Sequence, residues 1–269
     1  MRWTLLAAAG MATACTGAAA SKDTAPSTLD SSGTTTTMGT TEPAPTGRIT
    51  GRVVDENGQP WADATVNLCR EICRLDRTDT DGRFAIEAEA GTWALEVVVV
   101  PSDPASGWST PLAPIEVEVD QERVLEAPIV VYELDAIQAL TARGELTLTE
   151  GFILTADPAE WDAPSLTPNA EPWLAAVRFD FATSGLPLDG LTGSVLDAWS
   201  VAPTATHPAA PWPLKLANPS LDVDATVEVW VSDYATQSWL LAGTVSSDTD
   251  GYLHGASLSA LGTVLLVAP

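Results

Sequence analysis

The chain has 269 residues, room for one or two domains of ordinary size. Its 36 acidic residues against 12 basic ones give a formal charge of −24, a surface that repels phosphate backbones and so argues against nucleic acid as a partner. Hydrophobic residues make up 45%, with 10 Trp among them, enough for a packed core and against wholesale disorder.

No internal run reaches the ~18–20 apolar residues that a membrane-spanning helix needs, so any membrane attachment is expected at the N-terminus. Met1 and Arg2 supply one positive charge, Trp3 to Met11 is almost entirely apolar or small, and Ala12-Thr13-Ala14-Cys15 follows. A charged start, an apolar stretch and small residues before a cut are the marks of an export signal, here residues 1–14. The Cys after the small residues resembles a bacterial lipobox, although Ala12 stands where that family usually has Leu. The resemblance implies that Cys15 becomes the lipidated first residue, anchoring the protein to a membrane through its acyl chains, outside the cytoplasm in the cell envelope, with the outer membrane as the expected site. The same Ala12-Thr13-Ala14 also suits the ordinary signal peptidase, which would release a secreted protein. Residues 15–47 are Thr-, Ser-, Ala-, Gly- and Pro-rich without apolar periodicity, and read as a disordered tether.

With Cys15 claimed by lipid, Cys69 and Cys73 remain for an oxidising compartment to pair. Four residues along a straight strand span about 13 Å, too far for a disulfide, so pairing requires the chain to reverse at Arg70-Glu71-Ile72. Half a metal site is the rival reading, but the other ligands it needs are not near in sequence. Two free buried thiols are the plain alternative.

Residues 48–133 read as short strands with regular turns, an antiparallel sandwich. Ile49 to Val54 alternates, Asp55 to Pro60 turns on Asn57-Gly58, and Ala64, Val66 and Leu68 share one face. Thr78 to Gly82 turns into Arg83 to Ile86. Ala94 to Val100 is a buried strand, and Ile115 to Val119 and Val124 to Tyr132 read as two more. Gly51-x-Val53-x-Asp55-x-x-Gly58-x-Pro60, Ala64-x-Val66, Thr80-x-Gly82-x-Phe84 and Gly91-x-Trp93, taken in order, resemble the carboxypeptidase regulatory-like module, which is similar to the transthyretin (prealbumin-like) sandwich. The resemblance implies a fold and no reaction. The zinc motif of such carboxypeptidases is absent, since His207 precedes Pro208-Ala209-Ala210 and His254 precedes Gly255-Ala256-Ser257.

Residues 134–269 read as a second β-rich, sandwich-like domain. Strand patterns cover Glu145 to Ala156, Leu174 to Ala182, Thr226 to Val231, Trp239 to Val245 and Ser259 to Val267. Pro-, Asp- and Asn-rich loop is expected between Ala156 and Pro172. The four prolines from Pro203 to Pro213 argue against an interior strand there. The order of the last strands is similar to a unit that follows prealbumin-like modules in other exported proteins.

The candidate chemistry is sparse. Asp79 and Asp81, and Asp248 and Asp250, stand in two Asp-Thr-Asp-Gly turns. Such spacing opens a calcium loop, but the later ligands are missing and hairpin turns favour Asp and Gly in their own right. Arg70, Arg74 and Arg77 form a basic cluster around the cysteine pair, suited to an anionic glycan or a partner's carboxylates, or to neighbours such as Glu71, Asp76 and Asp79. Trp108, Trp161, Trp199 and Trp212 lie in loop-like sequence, where they suit either sugar stacking or lids over the sandwich ends. No motif for a nucleophile, zinc or phosphate site is present and no cofactor is expected. Two function classes follow: a non-catalytic envelope lipoprotein contacting glycan or protein, and a carboxylate-dependent envelope glycoside hydrolase or its accessory subunit. A pocket that gathers two carboxylates within about 10 Å separates them.

Overall fold

The computed structural model describes residues 46–99, 107–162, 171–222 and 225–269, and the fold is all-β with sandwich-like sheets. The expected export signal, Cys15 and the tether as far as 45 lie outside the described residues. The first strand begins at Thr46, so Thr46 and Gly47 belong to it and not to a linker.

Eight strands build the first sandwich: β1 (Thr46–Asp55), β2 (Thr65–Cys69), β3 (Cys73–Arg77), β4 (Arg83–Glu89), β5 (Gly91–Val98), β6 (Leu112–Val117), β7 (Glu122–Val124) and β8 (Ile129–Val131). The front sheet runs β4-β1-β7, with β8 also on β1; the back sheet runs β3-β2-β5-β6. Alternation puts Ile49, Val53, Val66, Leu68, Phe84, Trp93 and Leu95 inside, each nearly sealed from solvent. Each such side chain contributes roughly 1.5–3 kcal/mol of transfer free energy. The sequence led us to expect one strand from Val124 to Tyr132 in an antiparallel arrangement. Instead β7 and β8 are two short pieces, both parallel to β1. Pro128, just ahead of β8, has no N–H to give a ladder, which fits the break. The free edges of the two sheets meet side by side: the Asp76 carboxylate on β3 accepts the Ala85 N–H of β4 at 2.8 Å.

Ten strands follow: β9 (Gln138–Ala139), β10 (Gly144–Thr149), β11 (Phe152–Ala156), β12 (Trp173–Phe179), β13 (Ser194–Ala202), β14 (Trp212–Ala217), β15 (Thr226–Asp233), β16 (Ser238–Ser247), β17 (Tyr252–Leu258) and β18 (Thr263–Ala268). They form one sheet ordered β10-β11-β14-β17-β16-β15-β18-β13-β12-β9. The sheet rolls until β10 lies against β12, and the Gln138 amide donates to the Thr147 carbonyl across the join. Phe152, Leu154, Trp199, Trp212, Leu214, Val229 and Leu266 fill the roll.

The two regions share apolar packing. Phe179, Ala198, Trp239, Leu265 and Val267 on the outside of the roll join the core of the first sandwich. Tyr132 stacks on Phe179 with ring centres 5.1 Å apart. A buried polar seam runs beside this contact, where Thr263 receives the Leu112 N–H on its hydroxyl at 3.3 Å and donates its own N–H to the Ser232 hydroxyl at 2.8 Å.

Two expectations for this region change. Trp199 and Trp212 are core residues on β13 and β14, not loop aromatics. Trp108 packs edge-on against Trp61, and Trp161 stacks on Trp212. Pro213 does lie in a strand with two neighbours, but at the end of β14 where only β17 is opposite, so no ladder bond needs the N–H it lacks. Strands β13, β14 and β17 carry no pattern that marked them beforehand.

Candidate functional site

The chain reverses at Arg70-Glu71-Ile72, and β2 and β3 pair so that Cys69 faces Cys73. The two form a disulfide across a Cα separation of 4.0 Å. The bridge closes a very short loop, so its stabilisation through the unfolded chain is at most about 2 kcal/mol. What it adds is position, because the tip residues are tied to a two-stranded base.

Arg70 lies over Trp93, its guanidinium carbon 4.0 Å from the ring centre. The indole is itself fixed by an N–H donated to the Glu89 carbonyl at 2.8 Å. Cation–π contact adds about 0.5–1 kcal/mol at an exposed site, and more importantly it orients the fork. Gly91 makes the room: at φ +124° a Cβ there would come 2.9 Å from the Arg70 Nη1. Arg74 reaches Glu89 at 3.1 Å and Arg70 reaches the same carboxylate at 3.7 Å. Two guanidinium groups thus share one carboxylate, and with Glu71 also in the lining the notch balances two positive charges against two negative ones on a chain of net −24.

The opposite wall comes from the β15–β16 turn. Asp233, 2% exposed, accepts the N–H groups of Ala235 and Thr236, the Thr236 hydroxyl and a 2.7 Å contact from His207. Burial alone would raise its pKa, but the hydrogen bonds from Thr236, His207 and Ala235 outweigh that and hold it below the usual carboxylate value. The turn so braced carries Tyr234, whose hydroxyl lies 3.2 Å from the Cys73 sulfur. Burial raises the Tyr234 pKa, and the charge of Glu96 adds to it. Between hairpin and turn lies an open notch of about 700 Å³, lined by Arg70, Glu71, Ile72, Arg74, Glu89, Trp93, Ala235 and Gln237. Ile72 stands at its rim, 70% exposed. Chemically the notch offers two guanidinium forks for an oxyanion and the exposed Ile72 for apolar surface, while the Trp93 ring, 3% exposed, serves to seat Arg70.

Of the three arginines singled out from sequence, the structure joins two. Arg77 is three residues beyond Arg74 on a period-two strand, so it faces the other way and pairs with Asp63 at 2.8 Å. Sequence reasoning missed Trp93, Glu89 and the Tyr234–Gln237 turn as parts of the site. Gly91-x-Trp93 was visible as a fold pattern, whereas nothing in the sequence brings residue 234 to residue 73.

The two Asp-Thr-Asp-Gly turns behave differently. Asp79 accepts the N–H groups of Asp81 and Arg83, both at 2.9 Å, and Gly82 at φ +77° closes a hairpin in which a Cβ would meet the Val53 carbonyl at 2.3 Å. Asp248 accepts from Thr249 and Asp250 from the Tyr252 N–H. There His254, which the sequence did not join to this turn, reaches Asp250 at 3.0 Å, and ligand-type atoms of Asp248, Asp250 and His254 lie within 4.8 Å of one another. All three sit at the surface, on a turn that their own hydrogen bonds explain.

A second open space, about 730 Å³, lies along the front sheet, and Asp76, Asp79, Glu122 and Glu126 are among its lining residues. Asp76 accepts the N–H groups of Arg77 and Ala85, so like Asp79 it serves the backbone. Glu96, whose pKa is raised by burial against a hydrogen bond from Asn67, lines neither space. No protein-family model matches this chain, and neither does any curated protein.

Proposed function

We propose that the chain is a non-catalytic lipoprotein of the bacterial cell envelope, anchored through Cys15, whose first sandwich is a carboxypeptidase regulatory-like module that holds the notch toward an anionic group on a glycan or protein partner. The observation that carries this reading is the arginine pair: Arg70 and Arg74 share the single carboxylate of Glu89 at a disulfide-closed hairpin, with Arg70 seated on the Trp93 indole. Preorganised guanidinium groups bind oxyanions with little loss of side-chain freedom. The disulfide supports an oxidising compartment, where such bonds persist.

A glycan and acidic-peptide array probed with residues 43–269 tests the binding role. Ligands carrying carboxylate or sulfate are expected to be retained by the wild type and lost by Arg70→Gln/Arg74→Gln. Equal retention by both proteins would refute the notch as the site. Mass spectrometry of the native N-terminus tests the anchor: a diacylglyceryl Cys15 is expected, and an unmodified Met1 would end both anchor and compartment.

A further inference from the structure

A second and independent feature lies on the outward face of the front sheet. Strands β1 and β4 set Arg52 directly opposite Arg83. Like charges directly opposite each other on neighbouring strands are destabilising. The chain has 36 acidic residues and only 12 basic ones, so two arginines facing each other is costly and unusual. Neither forms an ion pair among the described residues. Arg52 is nonetheless fixed, because its Nε donates to the Asp81 carbonyl at 2.7 Å.

The next places in the ladder are small or aliphatic, with Thr50 opposite Ala85 on one side and Val124 on the other. These residues and Leu125 line the open trough of about 730 Å³. Val124 is 61% exposed, an apolar side chain with nothing over it among the described residues. The aromatic residue at the trough, Phe84, is itself in the core at 4% exposure, so its wall offers no open ring for a sugar to stack on.

The geometry points to a binding site for a short peptide segment carrying a carboxylate, with the carboxylate between Arg52 and Arg83 and aliphatic side chains along Thr50, Ala85, Val124 and Leu125. Two guanidinium forks match one carboxylate in shape and charge. A highly charged polyanion is disfavoured by the net charge of −24 and by Asp76, Asp79, Glu122 and Glu126 along the trough, whereas a single carboxylate needs only the place where Arg52 and Arg83 face each other. The site is distinct from the notch, shares no lining residue with it and stands or falls separately.

The test is a titration of isotope-labelled residues 43–269 followed by backbone amide shifts. The probes are acetyl-Val-Ala-Asp-amide, its Asn counterpart and a galacturonate trimer. The Asp peptide is expected to shift the amides of Thr50, Arg52, Arg83 and Ala85. The Asn peptide should bind at least tenfold more weakly, and affinity for the Asp peptide should fall several-fold between 50 and 300 mM NaCl. Arg52→Gln/Arg83→Gln should lose binding at these amides tenfold or more while Arg143→Gln, outside both spaces, keeps it. Absence of shifts with the Asp peptide, equal binding of the Asn peptide, or salt-independent binding overturns the site, and these hold on the wild type even if the double variant folds poorly. Tighter binding of the galacturonate trimer at the same amides overturns the peptide assignment.

Discussion

Strands β1 and β18 are both central strands with neighbours on each side, yet they are used in opposite ways. In β1 every second residue, Ile49 and Val53 among them, enters the first core, while Arg48, Thr50 and Arg52 face outward. In β18 both faces are covered: Val264 and Leu266 belong to the roll, Leu265 and Val267 to the first sandwich. A strand with one dry face leaves the other free to carry charges and bind. A strand with two dry faces joins two cores and carries nothing else. The candidate binding features accordingly lie on the first sandwich, and the roll contributes one braced turn to them.

The largest effects are expected on β18. Leu265→Ala and Leu266→Ala each leave a cavity, one in each core, and should each cost about 2–5 kcal/mol. If β18 joins the cores as described, calorimetry will show one transition lowered in both variants. Two separate transitions, each sensitive to one substitution, would break the comparison and make residues 46–133 an independent module.

Next comes Gly82→Ala at the β3–β4 turn. Positive φ and the approach to the Val53 carbonyl predict a loss of about 1–3 kcal/mol by denaturant unfolding. Gly58, also at positive φ but with nothing near its missing Cβ, should cost less when replaced by Ala. Removing the disulfide with Cys69→Ser/Cys73→Ser should cost at most about 2 kcal/mol and leave the β spectrum intact, because the enclosed loop is so short.

The smallest effects are the pH-dependent ones, and their signs differ. Glu96 holds its proton more tightly folded than unfolded, since burial raises its pKa from 4.5. Stability therefore falls as pH rises from that unfolded value through the folded one. Glu96→Gln should raise the melting temperature at pH 7 and leave it unchanged at pH 3. Asp233 is the reverse: its depressed pKa stabilises the fold above about pH 4 and that contribution is lost as pH falls through the folded value. Asp233→Asn should weaken the β15–β16 turn at pH 7 and flatten the acid limb of the stability profile.

The same contrast explains how far the sequence could be read. Across the first sandwich, Asn57-Gly58, Asp79 to Gly82 and Gly91 mark turns, and alternation marks the inward face of β1, β2 and β4, because only one side of each strand is dry. The cysteine spacing indicated the β2–β3 reversal, since only a reversing chain allows the bond. In the roll, β13 and β18 are buried on both faces and lose their alternation, and the pairing of β18 with β13 and β15 is long-range. For the site, Arg70 and Arg74 were legible as a basic cluster. Their separation from Arg77 follows from strand period, but the approach of Tyr234 to Cys73 and of Gln237 to the notch depends on how the roll docks on the sandwich, which no local pattern encodes.

The most direct test of the notch compares three variants against any anionic ligand retained on the array, by equilibrium titration at fixed salt. Arg70→Gln and Arg74→Gln, which alter the pair on Glu89, should each weaken binding by tenfold or more, and Arg77→Gln, on the other face of the same strand and paired with Asp63, should bind as the wild type does. Loss of binding in Arg77→Gln equal to that in Arg74→Gln would show a general effect of positive charge and contradict a site built at the notch.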